Sequence, residues 1–151
     1  IFEKIKLSLN DFDARENVLN CIKAAKWCCD NKLYQQATTM LEEGLGTFLC
    51  CHYQLDYKNK TYRDTVFSCI AIKTKKTATE VLDADKELVD KILADDSVWG
   101  NKTFVTILQQ VVELRNDYNH AGFKKNPFSA KKVIEKIEEL LDGIEEVLSE
   151  I

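Results

Sequence analysis

Residues 129–151, "SAKKVIEKIEELLDGIEEVLSEI", decide the fold class. Val133, Ile134, Ile137, Leu140, Leu141, Ile144, Val147 and Leu148 recur at steps of three and four. That spacing gathers them on one side of an α-helix. The other side is rich in glutamate, as a solvated face is. Ser129 suits the N-cap, and "KKNPFS" before it breaks the chain at Pro127. A helix with one apolar stripe is stable only when that stripe is buried against neighbours.

The same pattern recurs upstream. A helix is predicted over about 13–30, with Ala14, Val18, Cys21, Ile22, Ala25, Cys28 and Cys29 inward and "DN" at its end. A second covers about 33–53 on the stripe Tyr34, Ala37, Leu41, Leu45, Phe48 and His52. Gly44 and Gly46 interrupt it, each weakening a helix by about 1 kcal/mol relative to alanine, and a close helix crossing would account for them. A third spans about 61–72, a fourth about 78–94 and a fifth about 102–119, with "DDSVWGN" as the break before the fifth. No segment alternates with period two. With one proline and five glycines in 151 residues, turns are few. The expectation is a single all-α helical bundle of about five to six helices.

The net charge of −4 gives no general signal for nucleic acid, so any RNA contact must come from a local basic patch. Two such patches exist. Lys58, Lys60, Arg63, Lys73, Lys75 and Lys76 stand against Asp56 and Asp64, and Lys124 and Lys125 lie near the C-terminal third. Lysine clusters of this kind are ordinary solvated loops or phosphate contacts. The six cysteines form no Cys-x-x-Cys pair and only two histidines accompany them, which supports no zinc site. They read as reduced thiols packed as small apolar groups, in a cytoplasmic compartment. No apolar run approaches the roughly 20 residues that span a bilayer, and no signal peptide is visible. The chain begins "IFEKIK" and its single methionine is Met40; the expectation is a piece of a longer protein, with a domain upstream and residues 1–12 as a connector.

The chemistry-bearing stretch is 113–123, "ELRNDYNHAGF". At about 100° per residue, Leu108, Val111 and Arg115 fall within about 40° of Phe104. Arg115 is thus expected in the apolar stripe, where a guanidinium needs an anion or several acceptors. A structural salt bridge would meet that need. Gly122 suits a helix C-cap, and a helix ending near Asn119 or His120 frees the imidazole to swing toward Arg115. Arginine offers a fixed fork of donors for a phosphate. Histidine moves a proton near neutral pH, and Asn116 and Asn119 can orient either partner without adding charge. Together they fit phosphodiester cleavage without a metal or other cofactor. One such histidine per chain is too few for separate acid and base roles, and a symmetric homodimer would supply two. Tyr118, Lys124 and Lys125 are the candidate RNA contacts.

"RNDYNH" resembles the R-x-x-x-x-H signature of HEPN domains. "LYQQATTMLEEGLGTFL" (33–49) and "LRNDYNHAGF" (114–123) look like the C-terminal HEPN domain of CRISPR-associated ancillary ribonucleases of type III systems, so that 13–151 would be the HEPN domain. Residues 56–101 add little to the likeness. The resemblance implies a metal-independent endoribonuclease for single-stranded RNA, a hydrolase of prokaryotic antiviral defence. Arg115 and His120 would be catalytic, supported by Asn116 and Asn119, in a composite site shared by two chains. Products would carry a 2′,3′-cyclic phosphate and a 5′-hydroxyl. Full-length relatives carry an N-terminal CARF domain that binds cyclic oligoadenylate.

Two other readings use the same residues. One is a non-catalytic HEPN-type module that binds RNA or nucleotide, or that pairs as a toxin with a small nucleotidyltransferase. The other is a plain dimerisation bundle with Arg115 in a structural salt bridge. Cysteine catalysis through Cys50, Cys51 and His52 fits poorly, because on a helix the three point in different directions and no orienting acid follows.

Overall fold

The computed structural model describes residues 17–74, 85–119 and 128–151. Among them the chain is helical, without strands. Seven helices follow one another: α1 (Asn17–Asp30), α2 (Tyr34–His52), α3 (Lys60–Thr74), α4 (Lys86–Leu93), α5 (Asp96–Trp99), α6 (Lys102–Asn119) and α7 (Ala130–Ser149). The architecture is an all-α bundle. Residues 1–12 and the start of the first predicted helix lie outside the described residues.

α2 is the central helix and packs on α1, α3, α6 and α7. Its inward residues Ala37, Leu41, Leu45, Leu49 and Cys50 are buried. They meet Ile22 and Ala25 of α1, Val66 and Cys69 of α3, and Phe104, Leu108 and Leu114 of α6 in one continuous core. Each large aliphatic side chain so buried contributes about 1.5–3 kcal/mol.

The two glycines of α2 sit where its neighbours press closest. A Cβ on Gly44 would lie 2.8 Å from Cys21 Cβ of α1, and one on Gly46 would lie 2.6 Å from Phe67 Cζ of α3. Both are inside van der Waals contact, so the helix gives up local propensity for close approach on two sides.

Two helix ends use a left-handed residue that is not glycine. Lys32 (φ 61°) follows α1 and Gln54 (φ 56°) follows α2. At the first, Leu33 N–H donates to Cys28 O at 2.8 Å and Lys32 N–H to Cys29 O at 2.9 Å. At the second, Leu55 N–H donates to Cys50 O at 2.8 Å. These bonds satisfy carbonyls that a helix C-terminus would otherwise leave open.

The stretch read as a break before the fifth helix contains a full helical turn, α5. Asp95 caps it, accepting from Ser97 N–H at 3.0 Å and Ser97 Oγ–H at 2.6 Å. The Trp99 indole N–H donates to Ile92 O at 2.9 Å and locks the turn to α4. One turn is too short for a periodicity to reveal it. Of the helix predicted over 78–94, residues 78–84 lie outside the described residues; the described helix starts at Lys86, after Asp85, whose backbone is extended (ψ 102°) and whose carboxylate accepts from Leu88 N–H at 3.2 Å. Ser129 caps α7 as its sequence suggests, accepting from Lys132 N–H at 3.3 Å.

Candidate functional site

α6 starts where Asn101 Oδ1 accepts the Phe104 N–H at 3.0 Å, an N-cap interaction that fixes the helix register. Phe104, Ile107, Leu108, Val111 and Leu114 are buried along it, and so is Asp117. Toward the C-terminal end the buried face turns from the Leu108 side to the Leu114 and Asp117 side. Arg115 is left at the edge of the stripe, with its side chain 46% exposed. This corrects the expectation of a core-facing arginine. The wheel about Phe104 assumes one fixed inward direction, whereas α6 changes neighbours along its length.

Arg115 lines a cleft of about 280 Å³ between three helices. α6 contributes Val112, Arg115 and Asn116, α2 contributes Glu42 and Glu43, and α3 contributes Phe67, Ile70 and Ala71. One wall is thus apolar and the other carries the charges. Arg115 Nε lies 3.1 Å from Glu42 Oε2, and the Glu42 side chain is only 13% exposed. Burial pushes the Glu42 carboxyl up from its usual range; Arg115 pulls it back, and Glu43 beside it pushes it up again.

Glu43 has a different partner. Arg63 of α3 pairs with its carboxylate, donates to Thr47 Oγ1 at 3.0 Å, and lies over the Phe67 ring at 5.3 Å. Two adjacent acids of α2 therefore reach to two different helices. Glu42 and Glu43 were not legible as site residues, and Arg63, read as part of a basic patch, was not legible as the partner of Glu43. "LEEGLG" reads as a polar edge in the sequence, and only the packing of α2 between α3 and α6 brings each acid to an arginine.

Of the residues singled out in "RNDYNH", Arg115 and Asn116 come together at the cleft. Asp117 between them and the helix end is buried, and its Oδ2 accepts the Phe128 N–H at 2.9 Å, tying α6 to the start of α7. Tyr118 and Asn119 close α6, and their side chains lie outside the described residues, as do His120, Gly122, Lys124, Lys125 and Pro127.

The described part of the basic segment is largely engaged. Lys60 pairs with Asp64, Arg63 with Glu43, and Lys73 lies over the Trp99 ring at 5.8 Å. All six cysteines are free thiols. Cys28, Cys50 and Cys69 are buried as small apolar groups, whereas Cys51 is exposed. Burial raises the Cys50 thiol, and it raises the Cys69 thiol to about 12. These are inert rather than nucleophilic surroundings. His52 Nε2 does find an acid, Asp95 Oδ2 at 3.7 Å, brought by the α4–α5 junction rather than by nearby sequence. Hydrogen bonding from Ser97 holds the Asp95 carboxyl below its usual range.

Among the described residues, no group of three or more His, Cys, Asp or Glu could hold a metal ion, and no helix is long and apolar enough to cross a membrane. No protein-family model, no characterised protein and no solved structure matches the chain.

Proposed function

We propose that the chain is a metal-independent endoribonuclease domain of HEPN type, cutting single-stranded RNA at a composite site shared by two copies. The observation that carries this reading is the position of Arg115. Its guanidinium is half exposed in a cleft of about 280 Å³ beside Asn116, rather than spent inside the core. A cationic fork at a cleft, followed five residues later by a histidine in "RNDYNH", supplies the parts that phosphodiester transfer uses.

In this reading Arg115 donates hydrogen bonds to a non-bridging phosphate oxygen and stabilises the charge that grows there. Asn116 adds a neutral donor. The ribose 2′-oxygen attacks phosphorus as its proton leaves. The bond from phosphorus to the 5′-oxygen breaks, and that oxygen takes up a proton. His120 of one chain serves one proton transfer and its copy serves the other. The products are a 2′,3′-cyclic phosphate and a 5′-hydroxyl. Tyr118, Lys124 and Lys125 contact the RNA strand. A sensor domain binding cyclic oligoadenylate would regulate the site in prokaryotic antiviral defence.

The ion pair between Glu42 and Arg115 favours a second reading, a plain dimerisation bundle in which Arg115 serves a structural salt bridge. Cleavage of a labelled single-stranded RNA in EDTA separates the two. The ribonuclease reading expects cleavage that Arg115→Ala and His120→Ala abolish; the bundle reading expects none.

A further inference from the structure

We propose that Glu42 is an autoinhibitory residue. Its carboxylate answers the charge of Arg115 in this structure, and an RNA phosphate must displace it before the guanidinium can act. This rests on the ribonuclease reading and names a regulation of that same site. Three observations carry it.

The first is the charge balance of the cleft. Among the described residues its lining holds two carboxylates, Glu42 and Glu43, against one guanidinium, Arg115. Arg63, whose charge could offset the second acid, does not line it. Arg63 pairs with Glu43 and donates to Thr47 Oγ1 at 3.0 Å. A phosphodiester entering the cleft therefore adds a negative charge to a lining that is already net acidic, and like charges brought together oppose binding.

The second is the position of the competitor. Glu42 Oε2 lies 3.1 Å from Arg115 Nε, and the acid is 13% exposed against 46% for the base. Solvent and strand reach the arginine from outside, while its counter-charge is supplied from the wall behind. An incoming phosphate and Glu42 thus compete for one cation.

The third is the unfavourable setting of the acid. Loss of water raises the Glu42 carboxyl more than Arg115 lowers it, and Glu43 raises it again. Attraction does not fully offset desolvation in such a pair. Both side chains regain water when it opens, so the pair is a brake that a rival anion can release and not a permanent lock. While it is closed, apparent affinity falls in proportion to the fraction of molecules in which it is open.

The experiment uses wild type, Glu42→Gln, Arg115→Ala and the double variant. It measures affinity for an uncleavable 2′-deoxy oligonucleotide, and single-turnover cleavage of the matching labelled RNA in EDTA at subsaturating protein. Glu42→Gln keeps the size of the side chain and removes its charge. Autoinhibition predicts affinity about tenfold higher in Glu42→Gln than in wild type, as for a pair closed in roughly nine molecules of ten, with faster cleavage. It also predicts no gain when Glu42→Gln is made in the Arg115→Ala protein, because no guanidinium is left to release. An equal gain in both backgrounds overturns the proposal, since removal of any negative charge near the strand would then suffice. So does an affinity no higher than wild type's, or tighter binding without faster cleavage where wild type cleaves; in both cases a cleaving wild type leaves the ribonuclease reading standing. If no protein cleaves, the ribonuclease reading falls and binding alone decides. A tighter Glu42→Gln whose gain depends on Arg115 then upholds the competition, and any other binding result overturns it.

Discussion

Glu42 Oε2 and Arg115 Nε lie 3.1 Å apart, joining the middle of the central helix to the C-terminal part of α6 across the edge of a cleft. The acid is nearly buried and the base is half exposed. For Glu42 the loss of water outweighs the attraction of Arg115, so its folded carboxyl binds a proton more tightly than the usual 4.5. Such a group contributes stability that is fully present below its unfolded pKa and is lost as pH rises through the folded one. Glu42→Gln removes that loss. The thermal midpoint of the Gln variant is therefore expected to gain on wild type as pH is raised from below 4.5 to neutrality. A gap that closes with rising pH would mean that the ion pair outweighs desolvation after all.

Asp117 takes a structural part within the same motif. Its Oδ2 accepts the Phe128 N–H at 2.9 Å, and its side chain is buried. Asp117→Ala leaves that donor without its acceptor and is expected to cost about 1–3 kcal/mol. Asp117→Asn keeps an acceptor and should cost less. Urea unfolding checks this, with a lower midpoint and an unchanged slope in the Ala variant. Equal midpoints in both variants would remove the hydrogen bond from the account.

Two helix glycines should respond in opposite directions. A Cβ at Gly46 of α2 would fall 2.6 Å from Phe67 Cζ, whereas nothing lies within 4 Å of one at Gly143 of α7. Gly46→Ala is expected to destabilise by about 1–3 kcal/mol through overpacking. Gly143→Ala is expected to stabilise by up to about 1 kcal/mol through helix propensity. Thermal unfolding of the two variants side by side is the check. A shift of the same sign in both would contradict the close α2–α3 crossing.

The helices were largely legible because their stripes are long. Ile137, Leu141 and Ile144 repeat over the twenty residues of α7, and no local signal opposes them. The single turn of α5 was not legible. It is held by Asp95 and by the Trp99 indole, contacts that leave no period in the sequence. Arg115 and Asn116 were legible as candidates from their crowding, and the cleft brings both together. The exposure of Arg115 was not legible, because one angular reference cannot follow a helix whose buried face turns toward Leu114 and Asp117. Glu42 could not be read at all. Its meaning comes from a neighbour on another helix, and a carboxylate in "LEEGLG" looks the same whether it faces water or an arginine.

The central claim is that Arg115 and His120 make a metal-independent phosphodiesterase of this chain. It is tested most directly by following a labelled single-stranded RNA in EDTA with wild type, Arg115→Ala and His120→Ala at equal concentration. The account predicts cleavage by wild type to cyclic-phosphate ends, and a fall of at least about 100-fold in each variant. An RNA left intact by wild type at high protein concentration, with the His120→Ala protein indistinguishable from it, would contradict the account.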